Sequence, residues 1–177
     1  MVKQDESVAH AELVGGGETS LHSHTGGGGT DLKPYMVLDN TGGQQITSAM
    51  TVNLDVEAVS NANYSLSNDE VTISAAGIYL VSIGFTYYVA STGGAARGAC
   101  KAWIEDDDSG SYATSPGSEC YAYHRETASE GGDACTKTFL LYLANTSKKI
   151  RLRCQRTYST TDIDTYAGTS LSFLKVA

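Results

Sequence analysis

Positive charge is what this sequence is shortest of: twelve Lys and Arg face twenty Asp and Glu, a formal net charge of −8. Nucleic acid is held mainly by cations that neutralise its phosphates, so no nucleic-acid partner is expected. Five basic residues do gather at Lys148, Lys149, Arg151, Arg153 and Arg156, three of them alternating along one apparent strand. Such spacing is usual for the solvated face of a half-buried strand. No apolar run has the length of a membrane-spanning helix, and no apolar segment follows the charged start Met1-Val2-Lys3-Gln4-Asp5-Glu6. Neither membrane insertion nor a secretory signal is therefore expected, and synthesis in the cytosol is.

Long runs of the helix formers Ala, Leu, Glu and Lys are missing too, which argues against a helical fold. Only two prolines stand against nineteen glycines, and eleven tyrosines accompany many Val, Ile and Thr residues, a composition that favours strands. At 177 residues the chain can bury one hydrophobic core. The four cysteines, Cys100, Cys120, Cys135 and Cys154, form no C-x-x-C, so zinc and thioredoxin chemistry are poorly supported. Three pairings remain open to them, and buried thiols are the default for a protein made in the cytosol. No G-x-S-x-G elbow, H-E-x-x-H or phosphate-cradling glycine loop is present. His124 is the one histidine of the body, and no enzyme is expected.

The chain divides in two. Residues 1–32 are a low-complexity arm with glycine clusters at 15–17 and 26–29 and a histidine pair, His22 and His24, between them. Such a segment buries too little to fold alone and becomes ordered only against a partner. Its apolar residues Val8, Leu13 and Leu21 are the candidates for anchoring it. Residues 33–177 read as strand, turn, strand. Val52, Leu54, Val56 and Ala58 alternate with polar residues as a half-buried strand would. Turns are expected at Asn61-Ala62-Asn63 and Ser67-Asn68-Asp69. Further strands are expected at 78–89, 99–105, 120–125, 135–143, 149–156 and 171–176. The longest run, Ile78 to Val89, is apolar on both faces: Ile78 and Leu80 on one, Tyr79, Val81, Ile83, Phe85, Tyr87 and Val89 on the other. A second apolar face implies either a second subunit or cover from within the domain. Short strands without an amphipathic helix indicate an all-β sandwich or jelly roll.

Two exposed features carry candidate chemistry. The run Glu105-Asp106-Asp107-Asp108 supplies hard oxygens suited to calcium, or is a solvated hairpin tip; Asp162 and Asp164 pose the same choice. Tyr112, Tyr121, Tyr123 and Tyr158 could stack on sugars, or are structural. Sequons at Asn63 and Asn145 are too common to indicate secretion.

Tyr64, then Val71-Thr72-Ile73, then Ala76-Gly77-Ile78-Tyr79, resembles the strand–Gly–x–Tyr segment of C1q/TNF-like jelly rolls. The series continues with strands near Trp103, at Phe139 to Leu143, at Ile150 to Cys154 and at Gly168 to Val176, so the resemblance spans about residues 33–177. It implies a sandwich of about ten strands that forms a tight homotrimer, with inner-sheet aromatics along the threefold axis. On that resemblance Tyr79, Phe85, Tyr87 and Phe173 are trimer-interface candidates; their alternative is ordinary core. In the arm, Leu21-His22-Ser23-His24-Thr25-Gly26-Gly27-Gly28 is similar to His-x-His, glycine-rich segments of bacteriophage fibre and virion attachment proteins. That similarity implies an iron-like metal ion shared by His22 and His24 of three chains, since six imidazoles suit an octahedral site. Together the two resemblances imply a structural protein of the virion surface. Its knob would decorate and cement a phage capsid through the major capsid protein. The alternative is a tail-fibre tip or other tail-borne module that attaches the phage to a host receptor, glycan or protein. A cupin-type enzyme would need several histidines inside the barrel, and only His124 is there.

Overall fold

A computed structural model describes residues 33–90, 97–125 and 131–177. Val8, Leu13 and Leu21, and the His22 and His24 pair, lie outside the described residues. Within them the chain forms strands and turns without a helix. The strands are β1 (Tyr35–Leu38), β2 (Met50–Thr51), β3 (Val56–Val59), β4 (Tyr64–Ser67), β5 (Glu70–Ile73), β6 (Gly77–Val89), β7 (Arg97–Asp106), β8 (Ala113–Thr114), β9 (Cys120–Arg125), β10 (Gly131–Leu143), β11 (Lys148–Ser159), β12 (Ile163–Thr165) and β13 (Ser170–Lys175).

They make two sheets. The first runs β10-β6-β13-β1-β3, with β12 beside one end of β6. The second runs β4-β5-β11-β7-β8, with β2 on β11 and β9 on β7. We call them the β6 sheet and the β7 sheet. The period-two pattern of the sequence decides which side chains lie between them. On β6 these are Tyr79, Val81, Ile83, Phe85, Tyr87 and Val89; facing them are Cys100, Ala102 and Ile104 of β7 and Ile150, Leu152 and Cys154 of β11, all buried. A fully buried Leu, Ile or Phe contributes about 1.5–3 kcal/mol relative to exposure, so this double layer is the main source of stability.

The aromatic residues expected on a threefold axis belong to this core. Tyr79 and Phe173 are 1 % exposed, and Phe85 and Tyr87 are fully buried within a single copy. Their alternative role, ordinary core, is the one the structure gives them: all four have the parity that points toward the β7 sheet. Tyr64 holds one end together, stacking on Tyr35 with ring centroids 4.7 Å apart and lying 5.9 Å from Phe173 and 6.3 Å, edge-on, from Tyr79. Buried hydroxyls find partners: Tyr35 donates to Glu57 Oε1 at 2.8 Å, Tyr79 to the Ala75 carbonyl and Tyr87 to the Gly98 carbonyl at 3.3 Å. Burial pushes all three phenols above their ordinary range.

The segment from Val52 to Ala58 is not one strand. Val52 and Leu54 are buried and Val56 is exposed, although all three share one parity. The chain changes sheets here: β2 pairs with β11, while β3 pairs with β1. Backbone bonds mark the crossing, from Val52 N to Leu152 O at 2.9 Å and from Asp55 N to Leu38 O at 3.1 Å. By contrast the Ser67-Asn68-Asp69 turn forms as expected. Asn68 (φ 52°) and Asp69 (φ 63°) are both left-handed, the two-residue geometry whose twist suits a hairpin.

Gly77 is required by its surroundings. Its φ is +150°, and a Cβ there would stand 2.4 Å from Ala177 O. That oxygen accepts the Ile78 N–H at 2.8 Å, and Ile78 O accepts Val176 N at 2.8 Å, which seats the end of the chain against the start of β6.

Candidate functional site

The outer surfaces of the two sheets differ in chemistry. On the β6 sheet, the outward positions are Ile78, Leu80, Ser82, Gly84, Thr86 and Tyr88 of β6; Thr136, Thr138, Leu140 and Tyr142 of β10; Ser170, Ser172 and Leu174 of β13; and Met36 and Leu38 of β1. None is charged. The register sets Leu140 opposite Leu80 and Tyr142 opposite Ile78, with Leu174 on the other flank of Leu80. Leu140 is 64 % exposed and Tyr142 68 %, so the apolar end of this face stands open to solvent. A groove of about 430 Å³ lies beside it, between Leu140, Tyr142 and the segment carrying Asp106, Asp108, Thr114 and Pro116. At the other end Tyr88 stacks on Tyr166 above Asp164, whose carboxyl is raised by burial and by Asp162.

The edge strand β10 carries two charges on its core side, Asp133 and Lys137, beside β9 of the other sheet. Inward-turned charge on an edge opposes strand addition by another chain. Cys120 of β9 and Cys135 of β10 close this seam, their sulfurs 2.9 Å apart with Cys135 donating. That contact lowers the Cys120 thiol and raises that of Cys135. Cys100 and Cys154 lie deeper, and burial pushes both up to about 12. All four are free thiols.

The outer surface of the β7 sheet is a network of charges. Arg151 and Arg153 both reach Glu105, at 2.7 and 3.5 Å, and the Trp103 indole donates to the same carboxylate at 3.3 Å. Lys149 pairs with Glu70 at 3.1 Å, Tyr112 donates to Glu70 at 2.6 Å, and the Arg151 guanidinium lies 3.8 Å from the Tyr112 ring centroid. Burial would raise the Glu70 carboxyl, but the Tyr112 hydroxyl, Lys149 and Arg151 outweigh it and hold it below its ordinary value. Lys101 pairs with Glu119 at 3.3 Å and lies over the Trp103 ring. The alternating basic residues of β11 are thus neutralised by neighbouring carboxylates.

The acidic run is engaged in the same way. Asp106 accepts the Ser115 hydroxyl at 2.6 Å, Asp107 the Lys149 N–H at 2.7 Å, and Asp108 the N–H groups of Ala144 and Asn145 at 3.0 and 2.9 Å. Its carboxylates tie neighbouring turns together. Among the described residues no three His, Cys, Asp or Glu side chains gather in a metal-binding group.

Of the four tyrosines singled out, Tyr112 is structural, held between Glu70 and Arg151. The other three come together. Tyr123 stands opposite Ala99, and Ala99 opposite Tyr158, in one row across β9, β7 and β11, with Tyr121 in the next row. Tyr121, Tyr123 and Tyr158 are 61, 51 and 49 % exposed. His124, of the opposite parity, is buried. Sequence reasoning missed Leu140 and Tyr142; the signal that could have found them was the apolar parity opposite to that of Leu141 and Leu143.

No family model matches the chain, and no curated protein does. Solved structures do. The Eiger TNF structure from S. frugiperda aligns over 82 % of this chain and 92 % of its own, at 14 % identity and a TM-score of 0.62. A crystal structure of murine APRIL aligns over 81 % of this chain and 98 % of its own, at 13 % identity and a TM-score of 0.55. At such identities the likeness is one of fold, and the fold is a two-sheet jelly roll of the C1q/TNF-like kind.

Proposed function

We propose that this chain is a structural, non-enzymatic protein of a bacteriophage virion surface, a homotrimeric knob whose arm (residues 1–32) anchors it to the capsid and cements neighbouring capsid subunits. The observation that carries the reading is the apolar end of the outer face of the β6 sheet, which holds no charge around Leu80, Leu140 and Tyr142. Interface centres are depleted of charge and enriched in large apolar and aromatic side chains, and a contiguous apolar patch on a folded domain marks a contact surface. Ile78, Leu80, Leu140, Tyr142 and Leu174 form such a patch, ringed by small hydroxyl side chains that allow close approach. In a threefold ring each copy presents this face to a different surface of its neighbour, and the ring closes without leaving a patch free. The charged β7 sheet then faces solvent. The TNF-like fold supports this arrangement, because in its two-layer sandwich each sheet has an outer face open to a partner.

A trimeric knob multiplies its anchor. Three arms, each weak alone, bind together with an avidity that exceeds any single contact. The similarity of the His22-to-Gly28 segment to phage fibre arms supports a virion as the anchoring particle. Cryo-electron microscopy of the parent particle tests the whole reading: density for three copies at capsid threefold positions is expected. Absence from purified virions, or a lone protomer in sedimentation equilibrium at micromolar concentration, would refute it.

A further inference from the structure

We infer that the end of the β7 sheet around Ala99 is a binding site for an acidic carbohydrate, a pyranose carrying carboxylate or sulfate. The inference does not depend on the assembly proposed above. The register builds a small lattice of outward side chains. One row is Arg125 opposite Arg97; the next is Tyr123, Ala99 and Tyr158. Tyr123 and Tyr158 stand two strand spacings apart, about 10 Å, and the small Ala99 between them leaves a shallow trough with a methyl floor. Aromatic rings standing at half exposure are poor at stabilising a fold but offer flat apolar faces to the C–H faces of a sugar.

The arginines supply the sign of the ligand. Elsewhere on this sheet the outward cations are neutralised: Lys101 by Glu119, Lys149 by Glu70, Arg151 and Arg153 by Glu105. Arg97 and Arg125 are directly opposite each other, and neither has a carboxylate within ion-pair distance among the described residues. Like charges set opposite across a strand pair destabilise it, so this pair is retained at some expense to the fold. Guanidinium groups match carboxylate and sulfate oxygens two at a time. The polyanion of a nucleic acid is disfavoured by the net charge of −8. The flanking tyrosines favour a ligand with both a negative group and an apolar ring face, and an acidic sugar has both.

The test is binding of the full-length protein to four immobilised ligands: neutral, uronic-acid and sulfated oligosaccharides and, as a charge control, single-stranded DNA. Retention is expected on an acidic arm and on neither the neutral arm nor DNA, with the uronic-acid and sulfated arms telling the two sources of negative charge apart. Tyr123→Ala and Arg125→Gln are each expected to weaken binding about tenfold, and Lys149→Gln, on the same sheet but outside the trough, to leave it unchanged. Circular dichroism of each variant confirms folding. Failure to bind any acidic oligosaccharide at millimolar concentration overturns the inference. So does equal retention on DNA, or binding that survives Tyr123→Ala.

Discussion

The two sheets of this sandwich bury equivalent inner faces and differ in their outer ones. The β7 sheet answers nearly every outward cation with a carboxylate of its own: Glu105 takes Arg151 and Arg153, Glu70 takes Lys149 and Glu119 takes Lys101. Apart from Arg97 and Arg125, that surface balances its cations within one copy. The β6 sheet has one outward charge, Asp164 at its far end, and leaves Leu140 and Tyr142 open at the other. A chain that crowds its outward charges on one face and withholds them from the apolar end of the other has set a polar surface against one suited to contact with another copy. The difference is physical rather than compositional, since both faces use the same strand periodicity.

The comparison breaks most sharply by moving charge across it. Leu140→Asp is expected to abolish self-association, because a charge buried in an interface without a partner costs about 3–5 kcal/mol and a threefold ring repeats it in every copy. Sedimentation equilibrium should then report the protomer, while circular dichroism keeps its strand signature, since position 140 lies outside the core of a single copy. An intact trimer from this variant would mean that another surface makes the contact.

A smaller effect is expected on the charged side. Tyr112→Phe removes the hydroxyl bonded to Glu70 and should destabilise the domain by about 1 kcal/mol, read as a lowered urea midpoint, with no change in association. The same pair sets an acid limit. The folded Glu70 carboxyl lies below its ordinary value, so its stabilisation is complete above the unfolded carboxylate pKa, about 4.3. It is lost as pH falls through the lower folded value. Asp108, lowered by the Ala144 and Asn145 bonds that outweigh its desolvation, acts in the same direction. Urea midpoints followed from pH 6 to pH 3 should fall at the acid end, and less steeply in Tyr112→Phe.

Much of this is legible in the sequence. Alternation in 78–89, 99–105 and 149–156 sets which side chains lie inside, and the hairpin at Asn68-Asp69 follows from the turn chemistry of its residues. The order of strands with Gly77 and Trp103 gave the jelly roll. What failed was parity read over too long a window: Val52 to Ala58 alternates without a break, yet the chain leaves one sheet for the other, and only the partners β11 and β1 decide where. The site suffered from the related problem that two apolar faces of one strand are indistinguishable by periodicity. The large aromatics Tyr79, Phe85, Tyr87 and Phe173 went to the core, where their volume fills the space between sheets. The contact face fell to Ile78 and Leu80, with Leu140 and Tyr142 added by a strand 60 residues away. Pairing between distant strands supplied the trough at Ala99 in the same manner, since neither Tyr123 nor Tyr158 signals the other.

The gentlest probe lies on the outer face of the β6 sheet itself. Ser82 and Thr138 share a hydroxyl hydrogen bond of 2.9 Å across β6 and β10, on the polar stretch that borders the apolar patch. Within one copy this bond is open to water, so Ser82→Ala should change the unfolding free energy of a dissociated protomer by less than about 0.5 kcal/mol, read from its urea midpoint. In an assembly that covers the face, the Thr138 hydroxyl is left without its partner in a dry environment, a cost of about 1–3 kcal/mol. The expected result is a protomer of unchanged stability and a trimer that dissociates at higher concentration. Equal effects on both would place Ser82 at a wet rim, and would confine the contact to the end of the sheet marked by Leu80, Leu140 and Tyr142.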